Sequence, residues 1–174
     1  LQGPKIRVKR FADSCAELTN GNPFFLDSAL DEMAGNEQGV GVAYEQLSKD
    51  VRAGDTLLLN DGQITLTVDR IDGTRVHTTV VNGGILSDHK GVNRKGGGLS
   101  APALTEKDHE DIRFAAELGL DFLAVSFVRT ADDVRRARAL MTEAGGNMKM
   151  VAKIERTEAV ADIDAIIEAT DIIM

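Results

Sequence analysis

Two periodicities divide this chain. From Lys5 to about Gly84, apolar and polar residues alternate in short runs, the period-2 pattern of half-buried strands. The pattern predicts strands over residues 5–11, 24–27, 40–44, 55–59, 63–71 and 75–81. Turn residues separate them: Gly21, Asn22 and Pro23, then Asn60, Asp61 and Gly62, then Asp72 and Gly73. Each group supplies a positive or preset φ where the backbone must reverse. Together these signals predict a small antiparallel barrel.

After about Leu99 the period becomes helical, and the order reads helix, strand, helix, strand, helix, strand. Thr105 with Asp108 three residues on is a capping-box pattern, followed by an apolar stripe of Ile112, Ala115 and Ala116 that stops at Gly119. Residues 121–127 form an apolar run suited to a parallel strand covered on both faces. Thr130 and Asp133 repeat the cap pattern, with Val134, Ala137, Met141 and Ala144 on one face and Gly145 past the end. Residues 148–154 read as the next buried strand. Residues 157–169 read as a helix with Val160, Ile163 and Ile167 aligned, and a further strand begins at Asp171. Strand starts near 121, 148 and 171 suit successive βα units. A closed (β/α)8 barrel takes eight strands and about 250 residues, so three units predict part of one. Leu1 and Met174 lie in apolar segments without caps, and both ends are expected to continue into a longer chain.

Composition narrows the function by exclusion. With 43% hydrophobic and 28% charged residues among 174, the chain has globular rather than disordered composition. No apolar run approaches the roughly 20 residues of a membrane span, and no secretory signal pattern opens the chain. The chain reads as soluble. A single cysteine, Cys15, provides neither an internal disulfide nor a structural zinc site, which suits a reducing cytoplasm. A net charge of −8 argues against nucleic-acid binding, which needs clustered Lys and Arg.

The residues best placed for chemistry are Lys153 and Glu155. Two apart on a strand, they project to the same side, and they stand at its C-terminal end, where α/β barrels build their active sites. The carboxylate could hold a metal and the ammonium could stabilise developing negative charge. Two charges at a strand end could equally meet solvent or pair with each other. A P-loop motif is absent. Gly96, Gly97 and Gly98, next to Asn93, Arg94 and Lys95, read as an interdomain hinge in preference to a phosphate cradle. His77, His89 and His109 have neither metal-ligand spacing nor a nucleophile partner, and surface or turn positions are expected for them.

Six motifs, in order, carry a resemblance: Leu1-Gln2-Gly3-Pro4-Lys5-Ile6-Arg7, Leu59-Asn60-Asp61-Gly62, Lys90-Gly91-Val92-Asn93, Pro102-Ala103-Leu104-Thr105-Glu106-Lys107-Asp108, Val125-Ser126-Phe127-Val128-Arg129 and Ala152-Lys153-Ile154-Glu155-Arg156. Along its whole length the chain resembles the pyruvate kinase family. The resemblance implies an α/β fold, a partial (β/α)8 barrel with an inserted small antiparallel β-barrel lid domain. Residues 1–4 would end a barrel strand, 5–98 would form the lid and 99–174 part of the catalytic barrel. It implies phosphoryl transfer from phosphoenolpyruvate to ADP in glycolysis, giving pyruvate and ATP, with Mg²⁺ or Mn²⁺ bridging the reactants. By the same resemblance Lys153 stabilises the transferring phosphoryl group and the enolate oxygen, and Glu155 is a metal ligand. Arg7 and Lys90 reach the nucleotide phosphates when the lid closes. Asp61 faces the nucleotide or serves only its turn. The parent enzyme is expected to be a cytoplasmic homotetramer.

Two departures from the family pattern matter. Many members carry a hydroxyl residue at the place of Leu1 and a glutamate at the place of Lys5, and these require K⁺. Here the ammonium of Lys5 could supply the monovalent charge permanently, so K⁺ is not expected to be required. The second metal-binding aspartate would lie beyond Met174 and the substrate-binding arginine before Leu1, so the 174 residues alone are expected to be inactive. Two rival readings remain at this point: a metal-dependent pyruvate-type aldolase or lyase barrel, and a non-enzymatic β-barrel binding module with a helical tail.

Overall fold

The period-2 half of the chain folds into sheet and the other half into alternating helix and strand. The structure, a computed structural model, describes all 174 residues, Leu1–Met174. They form two units, Ile6–Ser100 and the paired segments Leu1–Lys5 and Ala101–Met174.

The first unit runs β1 (Cys15–Leu18), β2 (Pro23–Asp27), β3 (Gly39–Gly41), α1 (Leu47–Asp50), β4 (Thr56–Leu59), β5 (Ile64–Asp72), β6 (Arg75–Asn82), β7 (Gly84–Ser87) and β8 (Val92–Arg94). Its main sheet has the order β3-β2-β6-β5-β4-β8, and β1 pairs with β7 in a separate ribbon. Alternation buries one face: Leu57, Leu59, Leu66 and Val76 are sealed from solvent, as are Val68 and Val80. Burying each such side chain contributes about 1.5–3 kcal/mol. The buried Thr78 hydroxyl donates to the Phe24 carbonyl at 2.8 Å, so no hydroxyl is stranded in the core.

Several expectations need correction here. The unit is not wholly antiparallel, because β2 and β3 run parallel. Residues 5–11 form no continuous strand. Instead Arg7 bridges to Gly91 and Val8 to Val42, with Val8 N–H donating to Lys90 O and Ala43 N–H to Arg7 O. Residues 6–9 thus alternate their hydrogen bonds between the two outer edges of the sheet, which leaves no run long enough for a ladder on either side. β1, β7, β8 and α1 were not foreseen. They are three or four residues long, too short to show a period.

The second unit runs α2 (Glu106–Glu117), β9 (Phe122–Val125), α3 (Ala131–Glu143), β10 (Lys149–Ala152), α4 (Thr157–Ala161), α5 (Ile163–Ala169) and β11 (Ile172–Ile173). The strands form a parallel sheet of order β11-β10-β9. Ile112, Val125, Val134, Ala137, Met150 and Ile166 are fully buried in its core. The capping box of α2 forms as expected, with Thr105 Oγ1 accepting from Asp108 N–H. The strand expected over 121–127 is shorter and one-sided, since Phe122 is exposed.

Thr130 makes no side-chain cap: the Asp133 N–H donates to the Thr130 carbonyl, and the Asp133 carboxylate is taken by the backbone and guanidinium of Arg129. The N–H of Ala131 is instead satisfied from a distance by Asp162 Oδ2, at 2.8 Å. That same Asp162 breaks the helix expected over 157–169 into α4 and α5. The break resets the helical phase, so Ala159 and Ile166 are buried while Val160 and Ile167 face outward.

Asp171, just before β11, accepts Met150 N–H at 2.8 Å and the Arg138 guanidinium at 2.9 Å. These hydrogen bonds hold its carboxyl down to about 2. A depressed folded-state pKa adds stability at any pH above the ordinary carboxylate range, and that stability is lost as pH falls toward 2. Asp171→Asn should therefore cost about 2 kcal/mol at pH 7. The penalty should shrink on acidification, as read from urea-unfolding midpoints at pH 7 and below pH 3.

Candidate functional site

The chemistry gathers where β9 and β10 end. Lys153 N–H donates to Val125 O at 3.0 Å, so the chain leaves β10 directly opposite the end of β9. From there Lys153 Nζ lies 2.8 Å from Glu155 Oε1 and 3.3 Å from Ser126 Oγ. The second oxygen of Glu155 accepts the Phe127 N–H at 3.0 Å. Both side chains of this ion pair are about one-third exposed. Partial burial pushes the Glu155 carboxyl up, but the hydrogen bonds from Lys153 and Phe127 outweigh it. The charges of Lys153 and Lys5 add to them, and the carboxyl sits below its ordinary range. The charges thus pair with each other, as one sequence reading allowed, and the pairing keeps the carboxylate ionised.

The turn after β9 carries a constraint that no sequence signal announced. Phe127 has φ +56°, a left-handed backbone that an aromatic residue rarely adopts and that costs about 1–3 kcal/mol. Its neighbours hold it there. Ser126 is buried and donates to Leu1 O at 2.8 Å, and Val128 is sealed in the core. Gly3, itself at φ +66°, lies so close that a Cβ there would stand 3.0 Å from the Phe127 ring and 3.1 Å from Ser126 O. Gly3 in turn gives its N–H to Asp108 at 3.2 Å. Asp108 is fully buried, which raises its carboxyl, but bonds from Thr105 and Gly3 bring it below the usual range.

The structure places the other expected residues in the Ile6–Ser100 unit, apart from Lys5. Lys5 belongs with Glu155 and is exposed, and its charge acts on that carboxylate. Arg7 and Lys90 lie side by side through the bridge of Arg7 to Gly91, and Arg7 Nη1 donates to His89 O at 2.7 Å. Asp61 sits in the turn between β4 and β5, where Asn60 and Asp61 both have positive φ and Asn60 N–H donates to Gly91 O. Gly91 therefore joins the Arg7, Lys90 and Asp61 segments at one end of this unit. Gly96, Gly97 and Gly98 have φ near +80°, a conformation open chiefly to glycine, and Arg94 is committed to Asp55 at 3.0 Å. Of the histidines, His89 is in a turn, His77 is on β6, and the His109 side chain is mostly covered. Ser126 and Phe127 were quoted in a motif but given no role; a positive φ at phenylalanine leaves no trace in composition or period.

A hard divalent ion keeps several waters and takes one or two carboxylates beside substrate oxygens. Glu155, ionised at a strand exit, fits as one such ligand. No group of three or more His, Cys, Asp or Glu side chains converges at Glu155 or anywhere else in the chain.

Parallel strands with crossover helices make this unit an α/β fold, and its charged residues gather at the strand exits. A family model described as pyruvate kinase, barrel domain, matches residues 1–174. The chain belongs to the pyruvate kinase family. It is 51% identical to a pyruvate kinase of Buchnera aphidicola from Acyrthosiphon pisum, 52% to that of Haemophilus influenzae and 50% to pyruvate kinase II of Salmonella typhimurium. Each match covers all of this chain and 37% of the relative. Because it includes the β-rich residues, neither the aldolase reading nor the free-standing module stands. No helix is long and apolar enough to cross a membrane.

Lys153→Met removes the largest force lowering the Glu155 pKa and leaves burial unopposed by it. The Glu155 carboxyl should then titrate higher than in the wild type, as measured by carbon-13 carboxyl NMR. An unchanged midpoint would contradict the electrostatic account.

Proposed function

We propose that the enzyme carrying this chain transfers the phosphoryl group of phosphoenolpyruvate to ADP, yielding pyruvate and ATP. The observation that supports it most is the ammonium of Lys153 held 2.8 Å from an ionised Glu155 at the exit of β10. Phosphoryl transfer asks mainly for positioning and charge neutralisation, and this pair offers both signs of charge at one place. Lys153 is the group that stabilises the transferring phosphoryl and the enolate oxygen. Glu155 would hold the divalent cation, Mg²⁺ or Mn²⁺, which when bound supplies Lewis-acid neutralisation of phosphoryl oxygens. Arg7 and Lys90 are the cations for the nucleotide phosphates, and Asp61 stands in the neighbouring turn.

Residues 5–98 are read as the family's small β-barrel lid, which would exclude water during transfer, and 99–174 as part of the (β/α)8 barrel. Lys5 takes the place of a monovalent cation, supported by its electrostatic action on Glu155. The parent is proposed to be a cytoplasmic homotetramer.

In the full-length enzyme, Lys153→Met should lower kcat by at least about 10²–10³, the usual loss for one preorganised electrostatic donor. A coupled lactate dehydrogenase assay reads this, and unchanged turnover would exclude the role. The same assay should run at full rate in K⁺-free buffer. The 174 residues alone should form no pyruvate.

A further inference from the structure

The search for a new site passes over two features. The hollow lined by Asp13, Cys15, Glu17 and Glu37 holds only exposed acids and a lone thiol. The acceptor cluster of Asp50, Tyr44 and Ser100 is satisfied within itself. The turn at 126–127 is different, because its backbone is strained and both of its residues touch the reactive pair.

We infer that Phe127 is a positioning residue whose left-handed backbone lets the 126–127 peptide plane present its N–H to Glu155, fixing the carboxylate that would receive the divalent cation. The inference rests on the proposed metal role of Glu155. Three observations carry it. Phe127 has φ +56°, and its N–H meets Glu155 Oε2 at 3.0 Å. The preceding Ser126 spends its proton on Leu1 O, so its lone pairs face Lys153 Nζ at 3.3 Å. The turn thereby grips each member of the pair by a different atom. Gly3 leaves room for this and for little else, since any side chain there meets the Phe127 ring and the Ser126 carbonyl. With β9 fixed before the turn and the buried Val128 fixed after it, a residue 127 that refuses positive φ can be fitted only by rotating the 126–127 peptide plane, which turns the N–H away and leaves Glu155 only Lys153. A carboxylate held from two sides has its remaining lone pairs pre-aimed; one held only by a flexible lysine does not.

The backbone, more than the ring, is what the site uses, and this separates the inference from a plain packing role. In the full-length enzyme, Mn²⁺ affinity is measured by electron paramagnetic resonance for wild type, Glu155→Gln, Phe127→Gly and Phe127→Ala. Glycine accepts the left-handed conformation and alanine resists it. Phe127→Ala should weaken Mn²⁺ binding about tenfold, as expected for losing one charge-assisted hydrogen bond, and Phe127→Gly should stay within about threefold of wild type. If Phe127→Ala does not fold, Phe127→Asn and Phe127→Ser give the same comparison, asparagine being the one that tolerates positive φ. Equal losses within a pair, or no loss in either member, would overturn the inference while Glu155→Gln still weakens binding. If Glu155→Gln binds Mn²⁺ as wild type does, the metal role of Glu155 itself fails, and the inference falls with it.

Discussion

A negative charge has to persist at a strand exit where partial burial works against it. Glu155 meets that constraint through two hydrogen bonds, one from an ammonium and one from a backbone amide, with Lys5 adding a more distant positive charge. Most of the second unit's local architecture follows from supplying those partners. The register of β9 against β10 puts Val125 opposite Ala152, so the residues that follow each strand, Ser126 and Lys153, emerge together. Sheet register, usually discussed as a matter of core packing, here decides which polar groups meet.

A second carboxylate supports the first from beneath. Asp108 caps α2 and grips Gly3, and the segment from Leu1 to Gly3 closes over the turn that serves Glu155. Residues at the beginning, middle and end of the chain are thereby tied into one small volume by groups more than 100 positions apart. A buried carboxylate with all its partners present is cheap to keep ionised, whereas removing any one partner leaves an expensive remainder. The strain at Phe127 is held in place by the same cluster.

Much of this was legible in the amino-acid order, and the parts that were not share a cause. Long amphipathic stretches announced α2 and α3, and the alternating runs at 55–59, 63–71 and 75–81 became β4, β5 and β6. The capping box of Thr105 and Asp108 was readable because both partners lie within one helical turn. The cap of α3 was misread at Thr130 because its true partner, Asp162, is 31 positions away and no local rule reaches it. The broken helix follows from the same long-range bond. Lys153 and Glu155 stood out by type and spacing, and the family motifs pointed to Arg7, Lys90 and Lys5. Ser126 and Phe127 stayed silent because their contribution comes from a backbone angle and a hydroxyl orientation, which tertiary contacts impose.

The debt of α3 to Asp162 also sets an order in time. A chain made from its amino end presents α3 well before Asp162 exists, so during synthesis the Ala131 amide must find water in place of its native acceptor. The helix can form early from its own apolar stripe, but its first turn stays loose until the next βα repeat arrives. These two neighbouring repeats are thus joined, the later one finishing the helix of the earlier. A nascent chain halted between residues 145 and 160 should fray at this point, an opening for chaperones or proteases that the completed unit no longer offers.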